Sequence, residues 1–399
     1  MSVELLVNLT LTVVKEAAVV GVMLFFVAYS VVAERRFCAW IQDRLGPNRV
    51  GMPLGGMTIG GFKIPEIRLA GLCQPFADGL KFIFKEEFTP GHVRKFYFFL
   101  APVLVLVPAL VTVSVVPFGS VIDLRAVGAW LGLPAEIARH LATPAVIANI
   151  DMGVLFVFAI VSLSVYGIVL AGWSSNSKYP FLGGIRSSAQ MISYEISMGL
   201  AVVPVFLLAG RLNLQDIVSY QAREGWLAAV FMAPRGAVTW QHVLLWLPLV
   251  IAFAIFLVAA FAETNRLPFD LAECETELVA GYHTEYGAFK FALFFLGEYA
   301  AMIVTSCLMV TLFFGGWTLP FHPWLYTAAG ADGVPWWFGA AHILVFLGKM
   351  AFFIFLFIWV RWTLPRFRYD QLMGLGWKFF IPLGLANILL TAALLAYFR

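Results

Sequence analysis

Val243-Leu-Leu-Trp-Leu-Pro-Leu-Val-Ile-Ala-Phe-Ala-Ile-Phe-Leu-Val-Ala-Ala-Phe-Ala262 runs directly into Glu263-Thr-Asn-Arg-Leu-Pro-Phe-Asp-Leu-Ala-Glu-Cys-Glu-Thr-Glu-Leu-Val-Ala-Gly-Tyr-His-Thr-Glu285. The first twenty residues hold no charge, and about 20 apolar residues are what an α-helix needs to cross the hydrocarbon core of a bilayer. The 23 residues after them hold six carboxylates, Glu263, Asp270, Glu273, Glu275, Glu277 and Glu285, and a single cation, Arg266. The apolar part belongs in lipid, and the acids gather at its surface, where a low dielectric strengthens every charge interaction. Seven further stretches meet the same requirement: Ala17–Ala33, Phe96–Val116, Asp151–Gly172, Ala189–Ala209, Phe291–Gly315, Ala340–Val360 and Phe379–Phe398. The first starts as early as Leu5 if Lys15 and Glu16 sit at the interface. The predicted fold is all-α, a polytopic membrane protein of about eight transmembrane helices in one membrane domain, residues 1–399. With 61% hydrophobic and 12% charged residues over 399 positions, the chain is too apolar for a soluble domain and too long for one anchor.

Eight spans leave both termini on one side, and the loops then sort by charge. The first, third, fifth and seventh loops carry 18 of the 26 Lys and Arg residues, whereas the opposite loops carry five, Arg125, Arg139, Arg211, Arg223 and Arg235. The positive-inside rule makes the odd loops cytoplasmic and both termini external, which in a bacterium means the inner membrane with periplasmic termini. No cation precedes Lys15, the wrong flank for a cleaved signal peptide. In the first cytoplasmic loop, residues 34–95, the segment Leu69–Phe88 repeats Leu72, Phe76, Leu80, Ile83 and Phe84 at helical spacing, with Gln74, Asp78, Lys81 and Lys85 between them. This predicts an amphipathic helix lying in the interface, as a surface anchor or as the roof of a cavity open to lipid. The acidic cytoplasmic loop covers residues 263–290.

Redox cofactors are not indicated. Cys38, Cys73, Cys274 and Cys307 form no CxxC pair, and the six histidines lack metal-ligand spacing. No glycine-rich dinucleotide fingerprint is present. Glu195 in the fourth span and Glu298 in the sixth stand out, because a carboxylate at membrane depth must be paired, protonated or set in a wet cavity. Lys349 in the seventh span is a candidate counter-charge. The loop acids read either as a solvated surface or as a coupled set whose like charges raise one another's pKa. Among the histidines, only His283 lies in that loop.

Four passages go beyond composition. They are Glu34-Arg-Arg-Phe-Cys-Ala-Trp-Ile-Gln-Asp-Arg-Leu-Gly-Pro-Asn-Arg-Val-Gly51, Gln74-Pro-Phe-Ala-Asp-Gly-Leu-Lys-Phe-Ile-Phe-Lys-Glu86, Arg186-Ser-Ser-Ala-Gln-Met-Ile-Ser-Tyr-Glu-Ile196 and the acidic loop. In this order they closely resemble the membrane subunit of respiratory complex I, proton-pumping NADH:quinone oxidoreductase, that is called H or, in mitochondria, subunit 1. One departure is the glycine-rich Met52–Ala70, which separates the Gly-Pro-Asn turn from the Gln-Pro helix.

The resemblance implies that the chain is part of an enzyme without being catalytic alone. It also implies that a quinone, ubiquinone or menaquinone, is substrate, and that flavin and iron–sulfur clusters belong to other subunits. Partners would be the peripheral-arm subunits at the quinone site, the antiporter-like subunits of the membrane arm and membrane lipid; no nucleic acid is expected. The quinone tunnel would be lined by Arg35, Arg36, Gln42, Arg44, Phe269 and Asp270. Proton coupling would fall to Glu195, Glu263, Glu273, Glu275, Glu277, Glu285 and Glu298. Arg35 and Arg36 also read as ordinary snorkelling cations at a helix end. Two other classes stay open: the equivalent subunit of a membrane-bound hydrogenase or photosynthetic quinone reductase, and a secondary ion transporter, although no internal repeat of the transporter kind is visible.

Overall fold

Long apolar runs rich in Leu, Phe, Ala and Val have one way to satisfy their backbone in lipid, the hydrogen bonds of a continuous α-helix. A computed structural model of the chain describes residues 3–50, 58–59, 62–63, 71–123, 125, 142–228, 240–271, 278–319 and 337–398. In it, eight helical spans are long and apolar enough to cross a membrane. The chain is an all-α polytopic membrane protein. Its spans are α1 (Val3–Ile41), α3 (Lys95–Val113), the pair α4 (Gly153–Val161) and α5 (Leu163–Ser174), α6 (Lys178–Ala209), α8 (Trp240–Glu263), α9 (Ala288–Phe313), α10 (Trp337–Thr363), and α11 (Tyr369–Gly374) continuing into α12 (Ile381–Phe398). A π-helical turn, Leu375–Phe380, joins the last two. Pro102, Pro108, Pro204 and Pro248 lie inside spans, which membrane helices tolerate because local adjustments and neighbouring groups satisfy the freed carbonyls.

α9 is the central helix, with 72% of its apolar window buried against 50% or less in the others. The spans run longer than their apolar cores. α1 has 39 residues and α6 begins at Lys178, eleven residues before the expected Ala189, since nothing ends a helix where the bilayer ends.

The amphipathic helix of the first loop is α2, Gln74–Phe84, shorter than the expected 69–88. None of its residues is buried; Phe76, Ile83 and Phe84 are exposed. Pro75 starts it, and at Lys85 the backbone turns extended. The Met52–Ala70 departure lies outside the described residues except for a two-stranded ribbon, β1 (Thr58–Ile59) with β2 (Phe62–Lys63). A second ribbon pairs β3 (Val121–Asp123) with β4 (Ala142–Pro144). A short helix that the loop pattern did not predict, α7 (Leu214–Glu224), is capped by the Asn213 side chain, which accepts from the amides of Gln215 and Asp216.

Candidate functional site

The acidic loop leaves α8 at Glu263 and returns over α6. Its return is a single helical turn at Gly281–His283 that rests on backbone: a Cβ at Gly183 of α6 would stand 2.7 Å from Gly281, whose own φ is +58°. Only glycine meets both the close approach and the left-handed φ. The outgoing half is held by buried amides. Gln190 Nε2 donates to the carbonyls of Ala262 (2.8 Å) and Phe269 (2.9 Å), and Asn265 Nδ2 donates to Ser187 Oγ at 3.1 Å. This locks Arg266 in place with 3% of its surface exposed.

Around Arg266 four remote parts of the chain meet. Its Nη1 lies 3.4 Å from Glu34 Oε2, about two turns before the end of α1, and its Nε lies 2.8 Å from Glu298 Oε1 in α9. Its guanidinium stacks 4.1 Å above the Tyr299 ring. Tyr299 Oη donates to Glu34 Oε2 at 2.5 Å, and Arg361 of α10 pairs with Glu34 Oε1. Arg366 and Asp270 form a further pair at 3.2 Å. Three acids thus face three arginines. Burial opposes the charge of Arg266, but Glu298, Tyr299 and Glu34 outweigh it, and its pKa stands above the ordinary arginine value. Burial pushes the Asp270 carboxyl up, and the nearby Arg366, Arg361 and Arg266 offset this only in part.

Two cavities flank this cluster. One, of about 450 Å³, is lined by Glu34, Arg35, Cys38, Arg44 and Tyr299 among others. The other, of about 480 Å³, is lined by Arg266, Asp270, His283, Glu298 and Arg366 among others. Both are also lined by Phe295, Arg361 and Trp362, so they adjoin across these three side chains. A third, of about 50 Å³, shares Asn265, Tyr282, Phe294 and Glu298 with the second and reaches Glu263 at the loop end of α8. Glu263 is 7% exposed, and its Oε2 has no hydrogen-bond partner among the described residues.

A family model described as NADH dehydrogenase matches residues 14–392. The chain is 46% identical to NADH-quinone oxidoreductase subunit 8 of Rhodothermus marinus, over 95% of this chain and 96% of that one. It is 47% identical to the NADH-quinone oxidoreductase H subunit of Leptospira biflexa, over 95% and 93%, and 43% identical to the second H subunit of Koribacter versatilis, over 97% and 98%. The chain belongs to the H-subunit family of NADH-quinone oxidoreductase. It is therefore a membrane subunit of complex I, and other complex I subunits are its partners.

In this complex I chain, the expected tunnel residues separate into two groups. Arg35, Arg44 and Asp270 line the two large cavities. Arg36 and Phe269 line neither: Arg36 is half-buried beside the Gly46 turn, and Phe269 is 3% exposed and stacked on Phe367. Gln42 lies outside both as well and accepts a hydrogen bond from Arg44. Arg35 Nη1 reaches Asp78 of α2 at 3.0 Å, tying the amphipathic helix to the rim of the first cavity.

Of the expected coupling acids, Glu263 and Glu298 share the small cavity. Glu195 is half-buried on α6 and close enough to Glu263 for their like charges to interact. Glu285 is half-buried and lines none of the three cavities. Glu273, Glu275 and Glu277 lie outside the described residues. Lys349 is not the counter-charge of Glu298. Its Nζ donates to the carbonyls of Phe314, Gly316 and Thr318 at 2.6–2.8 Å, closing the end of α9, and sits 4.0 Å from the Trp226 ring. The residues that sequence reasoning passed over are Glu34, Tyr299 and Arg361. A signal existed: Glu34 adjoins Arg35 at a span end, and Tyr299 adjoins Glu298.

Proposed function

We propose that this chain forms the quinone-access tunnel of a proton-translocating NADH:quinone oxidoreductase and holds the first acids of its proton path. The observation that carries this reading is the adjoining pair of cavities between the Arg35–Arg44 rim and the Asp270–Arg366 pair, with the charge-balanced cluster between them. The apolar and aromatic side chains of Val31, Phe295 and Trp362 suit an isoprenoid quinone, and the arginines suit its carbonyls, to which a planar guanidinium donates without losing charge. An anionic quinone species entering the second cavity would draw Arg266, Arg361 and Arg366 toward itself and loosen their hold on Glu34, Glu298 and Asp270. Those carboxylates would then bind protons more readily. The 50 Å³ cavity from Glu298 to Glu263 has room for water, which would carry a proton on toward Glu195.

In this reading the odd loops face the bacterial cytoplasm, where peripheral-arm subunits cover the cavities and supply the electrons, and both termini are periplasmic. Antiporter-like subunits would take the signal onward within the membrane. The test is Arg361→Gln in the assembled complex. NADH oxidation with a soluble upstream acceptor should persist, while reduction of long-chain quinone falls at least tenfold. Equal loss in both assays would show failed assembly, and full quinone reduction would remove the tunnel reading.

A further inference from the structure

α1 carries charge at both ends of its transmembrane stretch. Glu34 lies nineteen positions after Lys15, about 28 Å at 1.5 Å per residue, which is close to the thickness of the hydrocarbon core. If Glu34 marks one face of that core, a straight α1 brings Lys15 to headgroup depth at the opposite face.

Beside it, a cavity of about 230 Å³ lies between α1, α9 and α10. Val22, Phe26, Val113, Phe118, Ile303 and Leu347 form its wall, Cys307 and Met350 also face it, and Lys15 is its one charged lining residue. An apolar cavity of about 150 Å³ stays dry and takes up small apolar molecules; this one is larger. Val22 on its edge is 45% exposed, so the cavity opens on the outer surface of this chain. Among the described residues, Lys15 Nζ makes one contact, at 3.4 Å with the Pro144 carbonyl of β4, and an ammonium has three donors. Glu16 lies about 100° round the helix and does not line the cavity.

We propose that this groove holds an acyl chain of an anionic phospholipid, with the lipid phosphate on Lys15. The wall matches a hydrocarbon chain, and the ammonium at its headgroup end matches an anion. A zwitterionic headgroup would bring a second cation beside Lys15, and a quinone tail would bring no anion at all.

The experiment uses the purified whole complex and photoactivatable phosphatidylglycerol or phosphatidylcholine with identical chains, with crosslinks mapped by peptide mass spectrometry. Phosphatidylglycerol should label the peptides around Val22 and Leu347. Lys15→Gln should lower that labelling about fivefold, the equivalent of about 1 kcal/mol for one basic residue at an anionic surface, and Lys15→Arg should keep it. Ala18→Trp, which fills the groove, should abolish labelling by both lipids. The proposal is overturned if these peptides stay unlabelled in the wild type, if Lys15→Gln leaves phosphatidylglycerol labelling unchanged, or if added quinone displaces the lipid as well in Lys15→Gln as in the wild type. None of these outcomes depends on the quinone tunnel, which lies at the other end of α1.

Discussion

Glu34→Gln tests whether the cluster at the loop is a true charge network. Glu34 is 6% exposed and accepts from Tyr299, Arg266 and Arg361. Removing one partner of a buried ion pair costs about 3–5 kcal/mol, because the other charge is left uncompensated. Two features place this case at the low end. Arg266 keeps Glu298 at 2.8 Å, and Arg361, 29% exposed, keeps access to water. A glutamine also retains an acceptor oxygen for Tyr299. The expected loss is about 3 kcal/mol, a factor of more than 100 in the equilibrium holding α1, α9 and α10 at the loop. Two assays check it: thermal dissociation of the purified complex, and quinone reduction relative to an upstream acceptor. Both should fall, and combining Glu34→Gln with Arg361→Gln should lose less than the sum of the singles, since the two residues share one interaction. Asp370→Asn is the control, because its partner Arg368 lies 3.8 Å away and both side chains are more than 70% exposed; it should be nearly silent. A Glu34→Gln complex that assembles with unchanged melting and unchanged quinone reduction would refute the reasoning.

Further expectations follow from other residues. Glu263→Gln and Glu298→Gln should depress quinone-linked activity and proton pumping together, more than Glu285→Gln, which lines none of the cavities; full pumping by both variants in assembled complex would detach the small cavity from coupling. Arg35→Ala should impair use of long-chain quinone more than Arg36→Ala, measured as KM, and the reverse order would move the rim. Lys349→Met leaves the Phe314, Gly316 and Thr318 carbonyls without their donor and should destabilise the complex by on the order of 3 kcal/mol, read by denaturant titration. Burial raises the Asp270 pKa, so the folded form binds its proton more readily than the unfolded form. Its contribution to stability then falls as pH rises from about 4 through the folded value. The melting difference between wild type and Asp270→Asn should shift toward the variant across that window, and a constant difference would contradict the raised pKa.

The eight spans were legible because the bilayer imposes a length and a composition on each of them. Their ends were not, since α1 and α6 continue as ordinary helices where the apolar run stops. α7 was legible in principle: Asn213 is a cap, and Leu214, Ile217, Val218 and Gln221 follow at helical spacing and are all buried. The acids at membrane depth drew notice on desolvation grounds alone. Their partners did not, because Glu34 meets Arg266, Tyr299 and Arg361 across 232, 265 and 327 residues, and no local pattern encodes such a meeting. Lys349 shows the limit best. A buried cation called for a counter-charge, but three carbonyl dipoles at a helix end serve instead.

The π-helical turn at Leu375–Phe380 sets a constraint on the last span. A π turn accommodates one residue more than an α turn, so the stretches before and after it are out of phase by roughly one residue, about 100° of rotation. Both phases are in use. Before the turn, the Leu372 carbonyl accepts from Tyr194 Oη at 2.8 Å; within it, Trp377 Nε1 donates to Ser193 Oγ at 3.0 Å, and Gly376 packs against the Tyr194 ring; after it, Asn387 Nδ2 donates to the Pro248 carbonyl at 2.9 Å. Deleting a single residue between Leu375 and Phe380 would restore regular helix and pull one set of contacts off its partners whichever way the chain settled. A relative whose final span lacks that residue must therefore have rebuilt its contact with either α6 or α8, and a comparison of the two sequences should open its gap at this turn and not in the loop before it.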